Sequence, residues 1–431
     1  MTKRPWIKGL AALVVGGVFL FNPGSASAAQ IELSLKDSIA LALKNNPSMK
    51  IAVESKASSM WGLKQAQAGS GPELSFAHSS ARSKGYSSLT GVPVYSSNFG
   101  NDFTLSLPIY SGGELEGKID KAELGVKTAE LGVIQAKQQL KLNVTTQYYN
   151  VLQTKSLEKV AQNLVDNLSE HFKSVKLKYE AGTVAKSDVL RAEVELANAE
   201  QSLIQAKNNS CLASANLNNA VGLPLDSEVL LKEDLEYHPY IAQMDDSIKY
   251  ALLNRPEVLM ADVAVDTAWT DVRIAKSGYL PSIKFVGTTG WQDGEFPGLG
   301  NNNWSLKLTA SMNLFDSGLT KAGVMQAEHG VNKVVNEAKQ AKDSVQLEVR
   351  QAYLGMQAAE KSIETSKVAV EKAEEDGAIA QVRYRVGLGT NLDVIDAQLA
   401  LNQAKTNKIQ AIYDYNINKA KLDKAMGIPV I

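Results

Sequence analysis

Two stretches of the chain alternate between apolar and polar residues. In the clearer stretch, Trp304 to Leu314, every even-numbered position is apolar. A period of two predicts a β-strand with one apolar and one polar face. Phe103 to Ile109 has the same period, although Pro108 takes one of its alternate positions. The polar face of the clearer strand carries Ser305, Lys307, Thr309, Ser311 and Asn313.

Each alternating stretch has a weaker partner earlier in the chain, beginning near Leu74 and near Ile283. The segments between partners, 79–100 and 286–303, are rich in Gly, Ser and Asn and are predicted to be loops. The pattern therefore indicates two strand hairpins with four strands of about 10 residues each. The hairpins are expected at about 72–110 and 281–315.

Long helical segments make up most of the remaining chain. Residues 114–180 and 319–385 are free of Pro and rich in helix-forming residues. Each spans 67 positions by subtraction, or roughly 100 Å. Small residues in these segments suit close packing of helices in coiled coils. The other predicted helices are 35–45, 47–69, 186–221 and 390–426.

The chain contains an internal repeat. Asp37–Ile39 matches Asp246–Ile248 at an offset of 209, and Ala122 matches Ala327 at an offset of 205. The change of 4 falls between 77 and 109, in the first hairpin, and indicates a difference in loop length. The predicted organisation is a first repeat at 29–225, a connector at 226–243 and a second repeat at 244–431.

A similar short motif lies between the two long helices of each repeat, at 179–192 and 384–397. A Gly follows one helix, and an Asp lies in the first turn of the next, which is typical of a helical hairpin. The repeat places both turns at the end of the molecule opposite the strands. The matched residues are Tyr179 with Tyr384, Gly182 with Gly387, and Asp188 with Asp393.

Residues 1–28 resemble a secretory signal peptide. A basic start is followed by an apolar core from Leu10 to Phe21 and by the small residues Ala26–Ala28. An uncleaved N-terminal anchor is the alternative interpretation. No later stretch has about 18 uninterrupted apolar residues, so we expect no transmembrane helix, and any membrane insertion must use strands.

The single cysteine, Cys211, excludes a disulfide within one chain. The net charge of -1 gives no electrostatic argument for a nucleic-acid partner. The four histidines are scattered, and no phosphate-binding loop or zinc-type cluster stands out. The sequence therefore predicts no enzyme, no cofactor and no bound metal.

Four strands cannot close a barrel, and open strand edges are not tolerated in lipid. A membrane barrel would therefore require several chains: two would give eight strands and three would give twelve. The apolar face would contact lipid, and the polar face would line a wet interior. A soluble sheet with one solvated face alternates in the same way and remains an alternative.

Taken together, these features resemble the TolC family of outer-membrane efflux proteins. The resemblance rests on the duplicated order of hairpin and long helix, on the two Tyr-x-x-Gly-x5-Asp tips, and on the matching ends at Ala220–Pro224 and Ala425–Pro429. It implies a mainly α-helical homotrimer with a twelve-stranded barrel in the outer-membrane lipid and a helical tunnel across the periplasm. It also implies a periplasmic adaptor and an inner-membrane pump of the RND, ABC or MFS type.

The resemblance also assigns roles at the tips. Asp393 and Asp396 match the aspartate rings that narrow the closed periplasmic entrance. They are spaced i, i+3 on one helix face, so three chains would bring six carboxylates together and attract cations. The first repeat has Arg191 at the position of Asp396. An alternative for each Asp is an acid that complements a helix dipole.

Tyr384 and Asp188 match a pair that latches neighbouring coiled coils in the family. Some members carry Arg at the position of Gly389, so the latch is expected to differ here. The tip turns, which include Tyr179, Gly182, Gly387 and Gly389, are expected to contact the adaptor as well.

The sequence thus predicts an outer-membrane channel that serves efflux or type I secretion and is gated at the periplasmic tips. A periplasmic coiled-coil adaptor or scaffold is the alternative, because such proteins also contain long helical hairpins. Drugs, metal ions and polypeptides could share such a duct, with selection at the pump.

Overall fold

The computed structural model describes residues 31–430, and the predicted signal peptide, 1–28, lies outside the described residues. Helices dominate and six strands accompany them in this part of the chain. The helices are α1 (Leu35–Asn45), α2 (Pro47–Ala68), α3 (Glu114–Glu180), α4 (Lys186–Val221), α5 (Met244–Asn254), α6 (Pro256–Lys276), α7 (Leu319–Arg385) and α8 (Asn391–Met426). The strands are β1 (Ile31–Leu33), β2 (Glu73–Tyr86), β3 (Pro93–Tyr110), β4 (Val229–Leu231), β5 (Ser282–Asp293) and β6 (Asn301–Ser311).

The long helices α3 and α7 contain 67 residues each and have the predicted bounds. Each begins after a glycine in the left-handed region, Gly113 or Gly318, which redirects the chain from strand to helix. α3 packs against α2, α4, α6 and α8, and α7 packs against α6 and α8. Shorter helices therefore lie along each long helix. No helix within 31–430 is both long and apolar enough to cross a membrane.

The largest apolar clusters lie where α1 and α5 pack onto the long helices, beside the small parallel pair of β1 and β4. Tyr148 is buried there, and its hydroxyl donates to a carboxylate oxygen of Glu233. The same carboxylate accepts the backbone N–H of Leu35 at 3.1 Å. Glu233 therefore ties the connector between the repeats to the start of α1.

The main sheet is antiparallel with strand order β2-β3-β5-β6. Its strands have 14, 18, 12 and 11 residues, so β2 and β3 are clearly longer than the predicted length of about 10 and β5 and β6 are close to it. The prediction of loops over 79–100 and 286–303 was wrong for most of both ranges. Ser, Gly and Asn there remove the apolar alternation, but the backbone ladder continues because it needs only peptide groups. Only 87–92 and 294–300 connect the strands.

Four of the five residues predicted for the polar face of the last strand lie on one face of β6. Ser305 pairs with Thr288 and Ser311 with Ser282, and in both pairs the hydroxyls hydrogen-bond, at 2.7 and 2.9 Å. The prediction that Asn313 belongs to this strand was wrong, because β6 ends at Ser311. Ser311 pairs with Ser282, the first residue of β5, so residues beyond 311 have no partner strand within 31–430.

Asp316 controls the turn into α7. Its carboxylate accepts backbone N–H groups of Gly318 at 3.0 Å and Thr320 at 2.8 Å. Hydrogen bonds from the Thr320 side chain and backbone hold the pKa of Asp316 below its usual value. These bonds cap the first turn of α7.

The two repeats differ in the residue that precedes α2 in the first and α6 in the second. Asn46 precedes α2, and its amide donates to the carbonyl of Ala220 at 2.9 Å. At the corresponding place Arg255 precedes α6 and donates to the carbonyl of Ala425 at 3.1 Å. Arg255 is only 1% exposed and forms ion pairs with Glu257 at 2.7 Å and Glu348 at 2.6 Å. A neutral contact in one repeat is thus a buried ion cluster in the other.

We predict that Arg255→Met lowers the free energy of unfolding by about 1.5–3 kcal/mol, because it removes the charge-assisted hydrogen bonds to Glu257 and Glu348. Lys424, 3.9 Å from Glu257 and 3.7 Å from Glu348, remains as a weaker cation. Chemical denaturation followed by circular dichroism at helical wavelengths measures this. The matched control is Arg273→Met, which removes an exposed ion pair with Asp120 and should cost at most about 1 kcal/mol. Equal losses in the two variants would contradict the assigned role of Arg255.

Candidate functional site

The candidate site is the pair of helical tips: the first tip (residues 179–192) joins α3 to α4, and the second tip (residues 384–397) joins α7 to α8. Gly182 and Gly387 have φ of +75° and +81°. The amide of Thr183 donates to the Lys178 carbonyl, and that of Leu388 to the Arg383 carbonyl. These are the bonds of a Schellman motif, which favours glycine at the left-handed position. Both glycines therefore serve as turn residues.

The two tips pack against each other within one chain. A buried apolar cluster joins them, and Tyr384 is its largest member, with 6% of its surface exposed. The other buried members are Val175, Ala192, Ala380, Val394 and Ala397. Phe172, Val184 and Val189 cover this cluster from the α3–α4 side. The side chains thus hold the second tip against the first.

A chain of hydrogen bonds runs beside this cluster. The imidazole Nε2 of buried His171 lies 2.7 Å from the amide oxygen of Asn391. The amide nitrogen of Asn391 donates to the backbone carbonyl of Asp188 at 3.0 Å. With the amide oriented in this way, the Nε2–H of His171 donates to Asn391. The start of α8 is therefore bonded to both α3 and α4.

His171 and Asn391 did not emerge from the sequence as site residues. The internal repeat could have pointed to them, because the two copies differ in residue type at these positions. The corresponding residues in the other copy are Asp376 and Lys186. Burial lowers the pKa of His171 below its usual value, nearby Lys178 lowers it further, and the hydrogen bond to Asn391 opposes both. The packed tips therefore favour the neutral imidazole.

The predicted latch residues, Tyr384 and Asp188, are brought together but are joined indirectly. The hydroxyl of Tyr384 is buried and lacks a hydrogen-bond partner within 31–430. Burial raises the pKa of Tyr384, and the charge of Asp188 raises it further. Lys178 lies over the Tyr384 ring, 4.0 Å from its centroid, and donates to the Tyr384 carbonyl at 2.7 Å. In this chain the contact between tips depends on Lys178 and Asn391.

The two candidate gate carboxylates have different surroundings. Asp393 forms a capping box with Thr390: the Asp393 carboxylate accepts the Thr390 amide at 2.8 Å, and the Thr390 hydroxyl accepts the Asp393 amide at 3.2 Å. These bonds hold the pKa of Asp393 below its usual value, and Arg383 adds to the effect. Asp396 is exposed, and its carboxylate has no hydrogen-bond or ion-pair partner in the described chain. Asp396 is thus free to interact with solute.

The remaining tip residues divide between packing and exposure. A Cβ at Gly389 would lie 3.1 Å from the Tyr384 nitrogen and 3.2 Å from the Arg383 Cβ, so a side chain there requires a local shift. The Arg383 guanidinium instead reaches back to the Leu388 carbonyl at 3.4 Å. Tyr179 and Leu388 are exposed at the extreme end of the chain's helical part. They form an accessible, partly apolar surface.

At the other end, the polar face extends over all four strands. The register places Lys284 beside Thr309, Thr104 beside Thr288, and Ser75 beside Thr104. The opposite face is apolar and aromatic, with Phe76 packed on Phe103 and Phe103 on Trp291. In the part of the chain that is described, no group of three or more His, Cys, Asp or Glu side chains is placed to hold a metal ion.

Comparison with known protein families agrees with this geometry. A profile of the family described as "Outer membrane efflux protein" matches residues 38–223 and 247–428, which is most of the chain. The chain belongs to this family. The gap between the two matches contains the whole predicted connector, 226–243. The family is one of channels rather than enzymes.

Curated relatives agree with this assignment. The outer membrane protein TolC of Escherichia coli (strain K12) is 24% identical over 449 residues, which covers 98% of this chain and 87% of that protein. The alkaline protease secretion protein AprF of Pseudomonas aeruginosa is 25% identical over 301 residues, which covers 68% of this chain and 62% of that protein.

Solved structures share the fold. The CmeC outer membrane channel of Campylobacter jejuni superposes with a TM-score of 0.79 at 20% identity, covering 91% of this chain and 85% of that one. VceC of Vibrio cholerae gives a TM-score of 0.77 at 19% identity, covering 91% and 96%. This efflux protein is therefore an outer-membrane channel for efflux or secretion, with its helical part in the periplasm. The adaptor or scaffold alternative is not favoured.

We predict that the contact between the tips of this efflux protein weakens in acid. The pKa of His171 in the packed tips lies below 6.5, its ordinary value, to which it returns when the tips separate. The stabilisation is therefore complete above about pH 6.5 and is lost as the pH falls below it. Hydrogen exchange of residues 384–395 should accelerate between about pH 6.5 and 5, after correction for intrinsic rates.

His171→Phe should remove this acceleration, because no proton can then be bound. The control His329→Phe alters an exposed histidine on α7 and should retain it. Exchange that is independent of pH in the parent protein would contradict the role assigned to His171.

Proposed function

We propose that three copies of the chain pool their strands into one twelve-stranded barrel in the outer membrane. The observation that carries this proposal is the two-faced sheet β2-β3-β5-β6, whose outer strands β2 and β6 each pair on one side only within the described residues. Unpaired edges are not tolerated in lipid, and known barrels need at least about 8 strands. The resemblance to the TolC family implies a homotrimer, which agrees with this arrangement.

In this arrangement Ser305, Lys307, Thr309 and Ser311 line the lumen and the apolar face contacts lipid. The long helices α3 and α7 extend the duct by roughly 100 Å into the periplasm. The two segments matched by the family profile support an organisation in two repeats, at 29–225 and 244–431. Residues 1–28 would direct the chain to export and then be removed.

The tips would gate the duct. Packing around Tyr384 and the bonds of Asn391 would hold each second tip against the first tip and keep the entrance narrow. Three copies of Asp396 would then form the ring that attracts cations, because this carboxylate is exposed and has no partner. Asp393 would contribute charge, but its main task is to cap α8. Separation of the tips would open the entrance.

The channel would work with a periplasmic adaptor and an inner-membrane pump of the RND, ABC or MFS type. The exposed tip surface, which includes Tyr179 and Leu388, is where the adaptor would dock. The names of relatives include a protease secretion protein and a toluene efflux pump component, so the family serves both export routes. The same duct could serve either route, since selection would occur at the pump.

We predict that Asp396→Asn weakens block by Mg²⁺ in planar bilayers roughly fivefold or more, because each lost carboxylate contact is worth about 1 kcal/mol in water. The double change Asp393→Ala with Asp396→Ala should weaken block at least as much. Concentration dependence of the single-channel current measures both.

The control Asp245→Asn removes an exposed carboxylate on α5, far from the tips, and should leave block unchanged. Undiminished block in the Asp396 variant would refute the gate assignment. A protein that forms no conducting pores at all would refute the proposed duct.

A further inference from the structure

The hairpin of β2 and β3 extends beyond the rest of the sheet. β5 and β6 end at the level where Phe99 pairs with Asp293, but β2 and β3 remain paired up to Tyr86 and Pro93. Without a register shift between β2 and β3, even-numbered residues of β2 stay on one face throughout. That face carries Leu74 and Phe76 lower down, so it is the apolar face.

Two basic side chains lie on the apolar face where the β2–β3 hairpin extends beyond β5 and β6. Arg82 and Lys84 share the parity of Leu74 and Phe76, and neither forms an ion pair within residues 31–430. Lys84 lies between two exposed aromatic rings, 5.8 Å from the centroid of Tyr86 and 5.6 Å from that of Tyr95. A cation flanked by tyrosines on the outward face is typical of a membrane interface, not of a lumen.

Their height fits a lipid headgroup. Ile283 to Trp291 spans eight residues, about 27 Å along the strand and about 20 Å in height at a tilt of about 40°. Trp291 pairs with Asn101, which pairs with His78, so at this tilt their heights agree to within about 6 Å. Arg82 is four residues farther along β2, about 10 Å higher than His78. An apolar band of about 25 Å therefore ends near the level of Arg82.

Nearby carboxylates do not neutralise the two cations. Asp293 ends β5 at the level of Phe99, and its Oδ1 accepts the amide of Gly294 at 2.7 Å. It is thus folded into the turn between β5 and β6. On the polar face, by contrast, Lys284 and Lys307 point toward the lumen and cannot reach the outer surface of the same sheet.

From this geometry we infer that Arg82 and Lys84 bind the phosphate groups of a phosphorylated glycolipid in the outer leaflet. The acyl chains of that lipid would lie on the apolar face around Phe76 and Phe103. The guanidinium of Arg82 can donate two parallel hydrogen bonds to a phosphate, and Lys84 adds a point charge. The inference rests on the proposed barrel to the extent that the apolar face must contact lipid.

The test compares two charge-matched variants of the full-length protein in detergent. Arg82→Gln with Lys84→Gln removes the outward pair, and Lys284→Gln with Lys307→Gln removes the same charge from the polar face. Binding of bis-phosphorylated lipid A is titrated by native mass spectrometry. We expect the outward variant to bind about 30-fold more weakly, or roughly fivefold per cation. The polar-face variant should bind as the parent does.

A further arm uses monophosphorylated lipid A. The parent should prefer the bis-phosphorylated form, and the outward variant should lose that preference. Arg82→Lys, which retains the charge but loses the two-pronged contact, should bind more weakly than the parent and more tightly than the outward variant. Undiminished binding in the outward variant, or equal loss in the polar-face variant, would overturn the inference.

Conductance in planar bilayers separates this inference from the proposed function. If all variants conduct but the outward variant still binds lipid A fully, only the lipid site is wrong. If the parent neither conducts nor binds lipid A, the barrel and the lipid site are both wrong.

Discussion

Backbone hydrogen bonding in lipid is the constraint on which the rest of this molecule depends. A peptide group without a partner in the bilayer costs several kcal/mol, and residues 31–430 of one chain supply a main sheet of four strands. Neither edge of that sheet can face lipid, so a solitary chain cannot occupy the membrane. Oligomerisation is then a condition for insertion. The α-helical part has the opposite property, because its backbone is satisfied internally and it can extend far into water.

In the proposed channel the tips face a different physical problem, because they would have to close a long duct reversibly. The contact between them combines a small apolar cluster around Tyr384 with a few bonds of modest strength through Asn391 and Lys178. Each such bond contributes about 1 kcal/mol net. A partner that binds the exposed turns need supply only a few kcal/mol to separate the tips. Because His171 is buried and its pKa is lowered, the same contact is predicted to weaken as the periplasm becomes more acidic.

The helices could be predicted almost to the residue, because Pro47, Pro256 and the tip glycines mark their ends and no Pro interrupts α3 or α7. The strand lengths could not be predicted, because Ser, Gly and Asn lie on both faces of β2 and β3 and leave no alternation of apolar and polar residues. The capping role of Asp393 could have been inferred from the spacing of Thr390 and Asp393. The bond between His171 and Asn391 joins residues 220 positions apart, and local sequence pattern contains no information about such a pair.

Closure of one barrel by three chains is tested most directly by the mass of the intact complex. Native mass spectrometry of the purified, detergent-solubilised protein should give three copies of the chain at every concentration where the complex is stable. Three copies supply twelve strands and leave no open edge. A mass of two copies would indicate an eight-stranded barrel, and a stable single copy would contradict the requirement that strand edges be paired in lipid.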